Sequence, residues 1–490
     1  MINFCITNSN DIIKKEFTHE LSLGKDNVLY YDDMVEIRDL PGHLIAFCGI
    51  LWQGEIEDFV DSDRQNGQFY AVVLHKESNT IKVISDFIED FPVYYYIKDG
   101  KFAITNSISA YSRSLEPDTA WLRQARDGAY ADRLIQPCAG IITDRYLTEN
   151  ITPIKDVRRL GAGRVMEIKL ASVQVNFYNW YNAQEEYVNP MFHEPRHNLT
   201  SAKTTVDRVL RGNANTLKKK YGSSLVLFGS TGIDSLSVMN YLDDVPKYGY
   251  YGEHYKNESP ELLKNLYKET GGTLHYFDAN EYRRAYTETI KGWRTPTFNM
   301  DLAPEMHIRN KYGLHDSVIV KGTFGDEIFW HDPRSAMSVA VHSWNLYDRQ
   351  SILDSLKDHY SYQPFHMTQY NIDNIIASKN LEFSIMNHHY NRQKSYLKDD
   401  RVLLNQMIIS PFIDLRLREL LPQCDTETKL ASILDARIQR DIVSDELIKY
   451  MNQYKSGGEE SFPSVGYKEQ QKNQLNEFMK SRSQTSSYRC

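Results

Sequence analysis

The sequence predicts an α/β protein in which an antiparallel β-sandwich with helices precedes a doubly wound parallel sheet with added helices. Two observations support this fold class. Up to about residue 180, short strand-like runs recur between turn signals such as Glu-Ser-Asn and Lys-Asp-Gly, which is typical of antiparallel sheets. From residue 199 onward, buried-strand patterns alternate with segments of helical spacing, as in parallel sheets whose strands are joined by helices.

The composition is that of an ordinary globular protein. Its 490 residues are enough for two or three domains, and 25% of them are charged. The net charge of −8 argues against a general nucleic-acid or membrane surface. The sequence contains no run of about 18 apolar residues, so no membrane span is predicted. Its first residues are too polar for a signal peptide. Five scattered cysteines without a CxxC pair predict reduced thiols in a cytoplasmic protein.

The strand-like runs of the first 180 residues predict two antiparallel sheets that face each other. These runs are Asn3 to Thr7, His43 to Ile50, Gln68 to Leu74, Thr80 to Ser85, Val93 to Ile97, Lys101 to Thr105, Arg164 to Leu170 and Val173 to Tyr178. A polar, proline-containing linker is predicted at 181–198, a second domain at 199–480 and a disordered tail at 481–490.

The stretch 224–235 has the strongest chemical pattern. An apolar strand up to Phe228 is followed by a glycine-bearing loop and then by helical spacing over 236–242. Strand, loop and helix in that order present backbone N–H groups to an anion. Ser230 and Ser235 add hydroxyl groups, and Asp234 adds a carboxylate suited to Mg²⁺. The alternative is an ordinary capped βα turn. No Lys follows the second glycine, which excludes a Walker loop.

Ser230-Thr231-Gly232-Ile233-Asp234-Ser235 resembles the Ser-Gly-Gly-x-Asp-Ser pyrophosphate loop of ATP-pyrophosphatases. Within that group it is most similar to the asparagine synthetase family, with its β-lactam-forming and lasso-peptide-forming relatives. The resemblance implies that the chain uses ATP and Mg²⁺ to adenylate a carboxylate, with Ser230, Gly232, Asp234 and Ser235 at the nucleotide. Thr231 stands where the family has glycine. Because a β-branched residue is poorly suited to positive φ or to very close backbone approach, we expect the loop either to differ locally there or to bind phosphate less well.

A second motif follows the predicted strand 318–320. Lys321-Gly322-Thr323-Phe324-Gly325-Asp326-Glu327-Ile328-Phe329 resembles the family's Ser-Gly-Glu-Gly-x-Asp-Glu-x-Phe-Gly-Gly segment. The resemblance implies that Gly322 lies at the nucleotide and that Asp326 holds a second Mg²⁺ opposite Asp234, where two cations would neutralise the departing pyrophosphate. The alternative is that Asp326 only caps a turn.

A third motif contains Lys455, in a Lys-Ser-Gly-Gly stretch. The resemblance implies that it corresponds to the family's catalytic lysine loop and would stabilise oxyanions. By itself that stretch is typical of a solvated turn.

The family residues at the acceptor end of the reaction, where the amine or acceptor substrate binds, are less well retained. Thr323 stands where asparagine synthetases have Glu and β-lactam synthetases have Tyr, and Phe324 replaces a glycine. Met407 and Ile409 replace a Glu and an Arg before the Pro-Phe-Ile-Asp core, for which apolar packing is the alternative interpretation. We therefore expect a small-molecule or peptide carboxylate and an amine that differ from those of both relatives. The sequence is compatible with a homodimer.

The first 180 residues resemble the class II glutamine amidotransferase half of this family, which has an N-terminal-nucleophile fold. Asn66 to Val72 and Asp86 to Tyr94 are similar to its Asp-Gly-x-Phe-Ala and Asp-x-x-Gly-x-x-Pro-Leu-Tyr segments. That chemistry requires a cysteine at position two, where this chain has Ile2. Cys5 lies inside a predicted strand, so we expect a buried core thiol. The domain is therefore predicted to lack glutaminase activity.

These patterns predict an ATP- and Mg²⁺-dependent amide ligase without its own glutaminase. Asparagine synthesis from aspartate, with ammonia or glutamine as the nitrogen source, is a second hypothesis. A third hypothesis is a binding or scaffold protein that has kept the fold and lost turnover, which the substitutions Thr231, Thr323 and Phe324 favour.

Overall fold

The computed structural model describes seven main parts of the chain. They are residues 3–107 (apart from 10, 14–16 and 25), 110–115 (110, 111 and 115 only), 152–182 (apart from 153), 194–252, 259–285 (apart from 283), 302–329 and 406–451. For a few helical residues, Asp326 among them, only the backbone is described. Within these parts, two antiparallel sheets and a parallel sheet form a mixed α/β architecture.

Two six-stranded antiparallel sheets form the N-terminal part. The first has the order β10-β8-β9-β1-β3-β2 and the second β12-β11-β7-β6-β5-β4. The strands are β1 (Phe4–Thr7), β2 (His19–Ser22), β3 (Val28–Tyr31), β4 (Glu36–Leu40), β5 (His43–Leu51), β6 (Gly67–His75), β7 (Thr80–Ser85), β8 (Tyr94–Lys98), β9 (Lys101–Thr105), β10 (Val157–Arg159), β11 (Arg164–Lys169) and β12 (Gln174–Asn179).

The two antiparallel sheets pack face to face, as the alternating pattern predicts. Phe4 of β1 and Tyr70 of β6 are both fully buried, and their ring centroids lie 4.4 Å apart. Sequence patterns did not predict β2, β3, β4 and β10. β2 and β4 lie at sheet edges and have mostly exposed or half-exposed side chains, so they lack the buried alternation on which strand prediction depends.

The third sheet is parallel and has five strands. They are β13 (Leu225–Phe228), β14 (Lys247–Gly252), β15 (Thr273–Phe277), β16 (Val318–Lys321) and β17 (Ile408–Ile409). The helices described around it are α1 (Leu199–Tyr221), α2 (Ile233–Met239), α3 (Pro260–Glu269), α4 (Leu302–Lys311), α5 (Gly325–Ile328), α6 (Leu415–Arg418), α7 (Thr426–Asp435), α8 (Arg437–Arg440) and α9 (Asp445–Ile448). The prediction of a parallel sheet in this half is confirmed.

Local sequence signals set the bounds of the helices. Helix α1 begins after Asn198, whose side chain accepts from the backbone N–H of Ser201, and it buries the predicted apolar positions Val206, Leu210 and Leu217. Ser259 caps α3 as predicted, because its side chain accepts from Leu262 N and a proline follows at the first helical position.

The order of strands in the parallel sheet is β15-β14-β13-β16-β17. From β13 the chain first builds β14 and β15 on one side and then returns to build β16 and β17 on the other. The switch point therefore lies between β13 and β16. These two strands pair in register from Leu225 with Val318 to Phe228 with Lys321, so the loops that follow them begin at the same level of the same edge.

Buried polar contacts join the second antiparallel sheet to the segment after β17. The Gln68 side chain, fully buried, donates through Nε2 to Ser410 O (2.5 Å) and accepts at Oε1 from Ser410 N (3.0 Å). Trp52 Nε1 donates to Ile413 O at 2.6 Å. The Ser410 hydroxyl in turn donates to Thr323 O. The N-terminal part thus reaches, through one intermediate residue, the loop that carries the second motif.

No helix in the described parts of the chain combines the length and the apolar character needed to cross a bilayer.

Candidate functional site

The loop after β13 brings together three of the residues that the sequence singles out. Ser230 Oγ lies 3.0 Å from Ser235 Oγ, and the backbone N–H of Gly232 donates to Ser230 Oγ at 3.2 Å. Gly232 is exposed, whereas both serines are half-buried. The two hydroxyl groups and this glycine therefore lie around one small loop at the edge of the sheet.

Helix α2 begins at Ile233, three residues before the predicted start at Leu236. The backbone of Gly232 is extended (φ −70°, ψ 148°) and forms the N-cap. The earlier start places Asp234 in the first helical turn, where the helix dipole favours a negative charge.

The loop after β16 packs directly on Asp234. A Cβ atom at Gly322 would lie 2.6 Å from the backbone C of Asp234 and from the N of Ser235. A Cβ atom at Gly325 would lie 2.2 Å from Asp234 Oδ1. At Gly322 the close atoms belong to the backbone, so this position requires glycine, whereas a side chain at Gly325 would have to displace the Asp234 carboxylate. The two motifs therefore meet at the switch point of the sheet.

A third element, α8, also contacts Asp234. Gln439, which is fully buried, donates through Nε2 to Asp234 Oδ1. This bond fixes the orientation of a half-buried carboxylate. Sequence reasoning missed Gln439, because it lies 205 residues from Asp234 and no local pattern around it indicates a site.

A left-handed backbone occurs at Phe324 and not at Thr231. Thr231 is not among the residues with positive φ, although its side chain is buried and its hydroxyl has no hydrogen-bond partner in the described parts of the chain. Phe324 has φ 74° and is buried. A left-handed conformation is costly for a residue with a side chain. Thr231 is therefore accommodated in the loop without a left-handed backbone.

Two predicted site residues lie partly or wholly outside the described atoms. The backbone of Asp326 lies in α5, directly after Gly325, but its side chain is outside the described atoms. Lys455 lies outside the described residues, as do 183–193 of the predicted linker and the tail 481–490. The proposed pairing of Asp234 with Asp326 around metal ions therefore stays a prediction.

The acceptor-end substitutions lie in apolar packing. Met407 is 1% exposed and directly precedes β17, and Ile409 is fully buried within β17, which pairs with β16. This agrees with the alternative interpretation of the segment as packing. Thr323 lies in the loop after β16 and has a buried hydroxyl without a hydrogen-bond partner among the described residues.

The predicted burial of Cys5 is confirmed. Cys5 is fully buried in β1, a central strand of its sheet, opposite Tyr30 and Thr105. Burial raises the pKa of its thiol far above the ordinary range. Because the thiolate is the nucleophilic form, Cys5 is unsuited to nucleophilic chemistry in this structure.

No protein-family model matches this chain, and no curated protein matches it. The interpretation of the site therefore depends on its geometry and on the motifs within it.

Proposed function

We propose that this chain is an ATP- and Mg²⁺-dependent amide ligase of the asparagine synthetase type, without its own glutaminase. The observation that carries the proposal is the meeting of the two motif loops at the switch point between β13 and β16. In open parallel sheets, ligands bind outside the carboxyl ends of the strands at such a point. An ordinary capped turn after β13 would not require a second glycine loop packed against its carboxylate.

Each residue of the two loops has a role in this proposal. The hydroxyl groups of Ser230 and Ser235 and the backbone at Gly232 would donate to phosphate oxygens. Asp234, with Asp326, would hold Mg²⁺, for which carboxylate oxygens are the preferred protein ligands. Bound Mg²⁺ would neutralise charge on the pyrophosphate. The orientation of Asp234 is set by Gln439 and by the close approach of Gly325.

The reaction would proceed in two steps. A carboxylate oxygen of the substrate attacks the α-phosphate of ATP, and pyrophosphate leaves. An amine then attacks the acyl carbon, loses a proton and displaces AMP, which leaves an amide. Lys455 would stabilise the oxyanion in this second step. Cys5 is buried, and burial disfavours its thiolate form, so the proposal includes no release of ammonia from glutamine. The amine would be free ammonia, a second substrate or part of the same molecule as the carboxylate.

Two backbone conformations add independent support. Phe324 (φ 74°) and Glu89 (φ 54°) both adopt the left-handed conformation that favours glycine. Both stand at positions where the resembled family pattern has glycine. At Glu89 the turn is held by the Asp86 carboxylate, which accepts from Ile88 N and Asp90 N at 3.0 Å each. A strained backbone retained after loss of the glycine favours common ancestry over chance similarity.

Radiolabelled pyrophosphate exchange into ATP tests the adenylation step. With a suitable carboxylate pool the wild type should exchange label, and Asp234→Ala should abolish the exchange. Asp243→Ala provides the matched control, since its carboxylate is exposed and lies just after α2. Absence of exchange with any carboxylate pool, together with an Asp234→Ala variant that behaves like wild type, would overturn the proposal.

Calorimetry separates the enzyme from a degenerate binding protein. Mg²⁺-ATP should bind to the wild type and more weakly to Asp234→Ala. Binding without any exchange would favour a nucleotide-binding protein that lacks turnover, whereas absence of binding would favour a scaffold.

A further inference from the structure

Two histidines and one glutamate form a compact cluster beside β15, the edge strand of the parallel sheet. His275 lies in β15, Glu281 follows the end of that strand, and His307 lies in α4. His275 Nε2 and His307 Nε2 lie 3.1 and 3.0 Å from the same atom, Glu281 Oε1. We propose that this cluster binds a divalent transition-metal ion such as Zn²⁺, independently of the proposed ligase function.

The spacing of the three donors suits a tetrahedral ion. Zinc binds imidazole nitrogen and carboxylate oxygen at about 2.0–2.2 Å, which puts neighbouring donors about 3.3 Å apart. The observed separations from Glu281 Oε1 are slightly shorter, and one ligand atom from each residue lies within 4.8 Å of the other two. A metal could therefore be accommodated by small side-chain movements. In the described parts of the chain, no other set of three such residues meets this spacing.

The donor set selects the class of metal. Imidazole nitrogen is preferred by Zn²⁺ and its transition-metal neighbours, whereas Mg²⁺ prefers sites made of oxygen. Two histidines with one glutamate also occur as the protein ligands of zinc sites that keep a fourth position for water or substrate. This site would therefore take a different cation from the one proposed at Asp234.

An orphaned nitrogen provides a second, independent indication of a ligand. His307 Nε2 is buried and has no hydrogen-bond partner of acceptable geometry within the described residues, although it lies 3.0 Å from Glu281 Oε1. Buried polar atoms without partners are rare in native proteins. A metal between His307 and Glu281 would satisfy this nitrogen.

The surroundings of the cluster combine an apolar wall with an opening. Phe277 contacts both imidazole rings, with centroid distances of 4.5 Å to His275 and 5.1 Å to His307. His275 is buried, while the side chains of Glu281 and His307 retain 21% and 27% of their exposure. The wall holds the rings in place, and the exposed side gives a hydrated ion a way in.

One neighbouring charge opposes metal binding. Lys311 Nζ lies 3.2 Å from His275 Nδ1. A lysine ammonium can only donate, so Nδ1 accepts and Nε2 carries the proton. Metal binding at Nε2 would require the single proton of the neutral ring to move to Nδ1, which could then no longer accept from the ammonium, so the exposed Lys311 side chain would turn into solvent. Removing the ammonium should therefore strengthen metal binding.

Titration with Co²⁺ tests the site, with the full chain free of any histidine tag. The wild type should bind one equivalent with the visible absorption of tetrahedral Co²⁺, and Zn²⁺ should displace it. His307→Ala and Glu281→Gln should weaken binding by more than about 100-fold, since loss of an outer-shell partner alone costs roughly 10–100-fold. Lys311→Met should tighten it several-fold.

Two control variants should keep the absorption band. His315→Ala removes an exposed histidine near α4, and Asp234→Ala removes the carboxylate of the proposed Mg²⁺ site. A wild type that binds no Co²⁺ or Zn²⁺ at micromolar free metal overturns the proposal, as does a folded His307→Ala that binds as tightly as His315→Ala. If His307→Ala does not fold, the substitution of the exposed Lys311 by methionine decides the question. A Lys311→Met variant whose metal affinity is no higher than that of the wild type would contradict the proposed site.

Discussion

Replacing Gly325 with alanine should displace the Asp234 carboxylate and leave the fold intact. The new Cβ would lie 2.2 Å from Asp234 Oδ1 and 2.3 Å from Cγ, whereas ordinary contacts begin at 3.4 Å. The carboxylate must therefore retreat by about 1 Å, which disrupts the bond that it accepts from Gln439. Because a hydrogen bond to a charged group contributes about 1.5–3 kcal/mol, the free energy of unfolding should fall by up to about 3 kcal/mol.

The same displacement should weaken any Mg²⁺-ATP site at Asp234. A misplacement of about 1 Å can reduce a rate by about 100-fold, so we expect at least a tenfold loss in pyrophosphate exchange. Denaturant unfolding measures the stability change, and exchange measures the functional one.

Gly212→Ala is the matched control for this substitution. Gly212 lies in α1 with no atom within 4 Å of a Cβ placed there. Alanine should therefore raise the free energy of unfolding by about 0.5–1 kcal/mol and leave exchange unchanged. If Gly325→Ala unfolds and exchanges like the wild type, the close contact between the two loops does not constrain Asp234 and the reasoning fails.

Gln68→Leu should lower the free energy of unfolding by about 2–6 kcal/mol in denaturant titration, because it leaves the backbone N–H and C=O of Ser410 buried without partners; a loss under about 1 kcal/mol would mean that water replaces the amide. Phe324→Gly relieves the strain of a left-handed backbone, which costs about 1–2 kcal/mol. It also removes a buried ring that stabilises the fold by about 3–5 kcal/mol. We therefore expect net destabilisation in the same titration, and a more stable variant would contradict the balance. Burial, followed by the charges of His43 and Lys82, lowers the pKa of His75 below its ordinary value of 6.5. The unfolded chain then binds a proton more readily than the folded one, so stability should fall as the pH drops below 6.5. His75→Phe should flatten this part of the profile in thermal unfolding, and an unchanged slope would rule out His75 as the cause.

Several local features of this protein follow from short stretches of its sequence. The apolar spacing of α1, the serine cap of α3 and the burial of Cys5 were all predictable, because each depends on residues within a few positions of one another. The same holds for the loop that brings Ser230 close to Ser235. Edge strands such as β2 and β4 were not predictable, since their side chains are largely exposed and follow no buried alternation.

The contacts between distant residues follow from the way the elements pack in three dimensions. The register of β13 against β16 sets Gly325 against Asp234, and the packing of α8 adds Gln439. Likewise, His307 reaches Glu281 only because α4 packs beside the end of β15. Hydrophobic periodicity specifies which face of an element is buried, but not which element covers that face. Contacts between residues far apart in the chain depend on how complete elements pack together, and no local pattern encodes that.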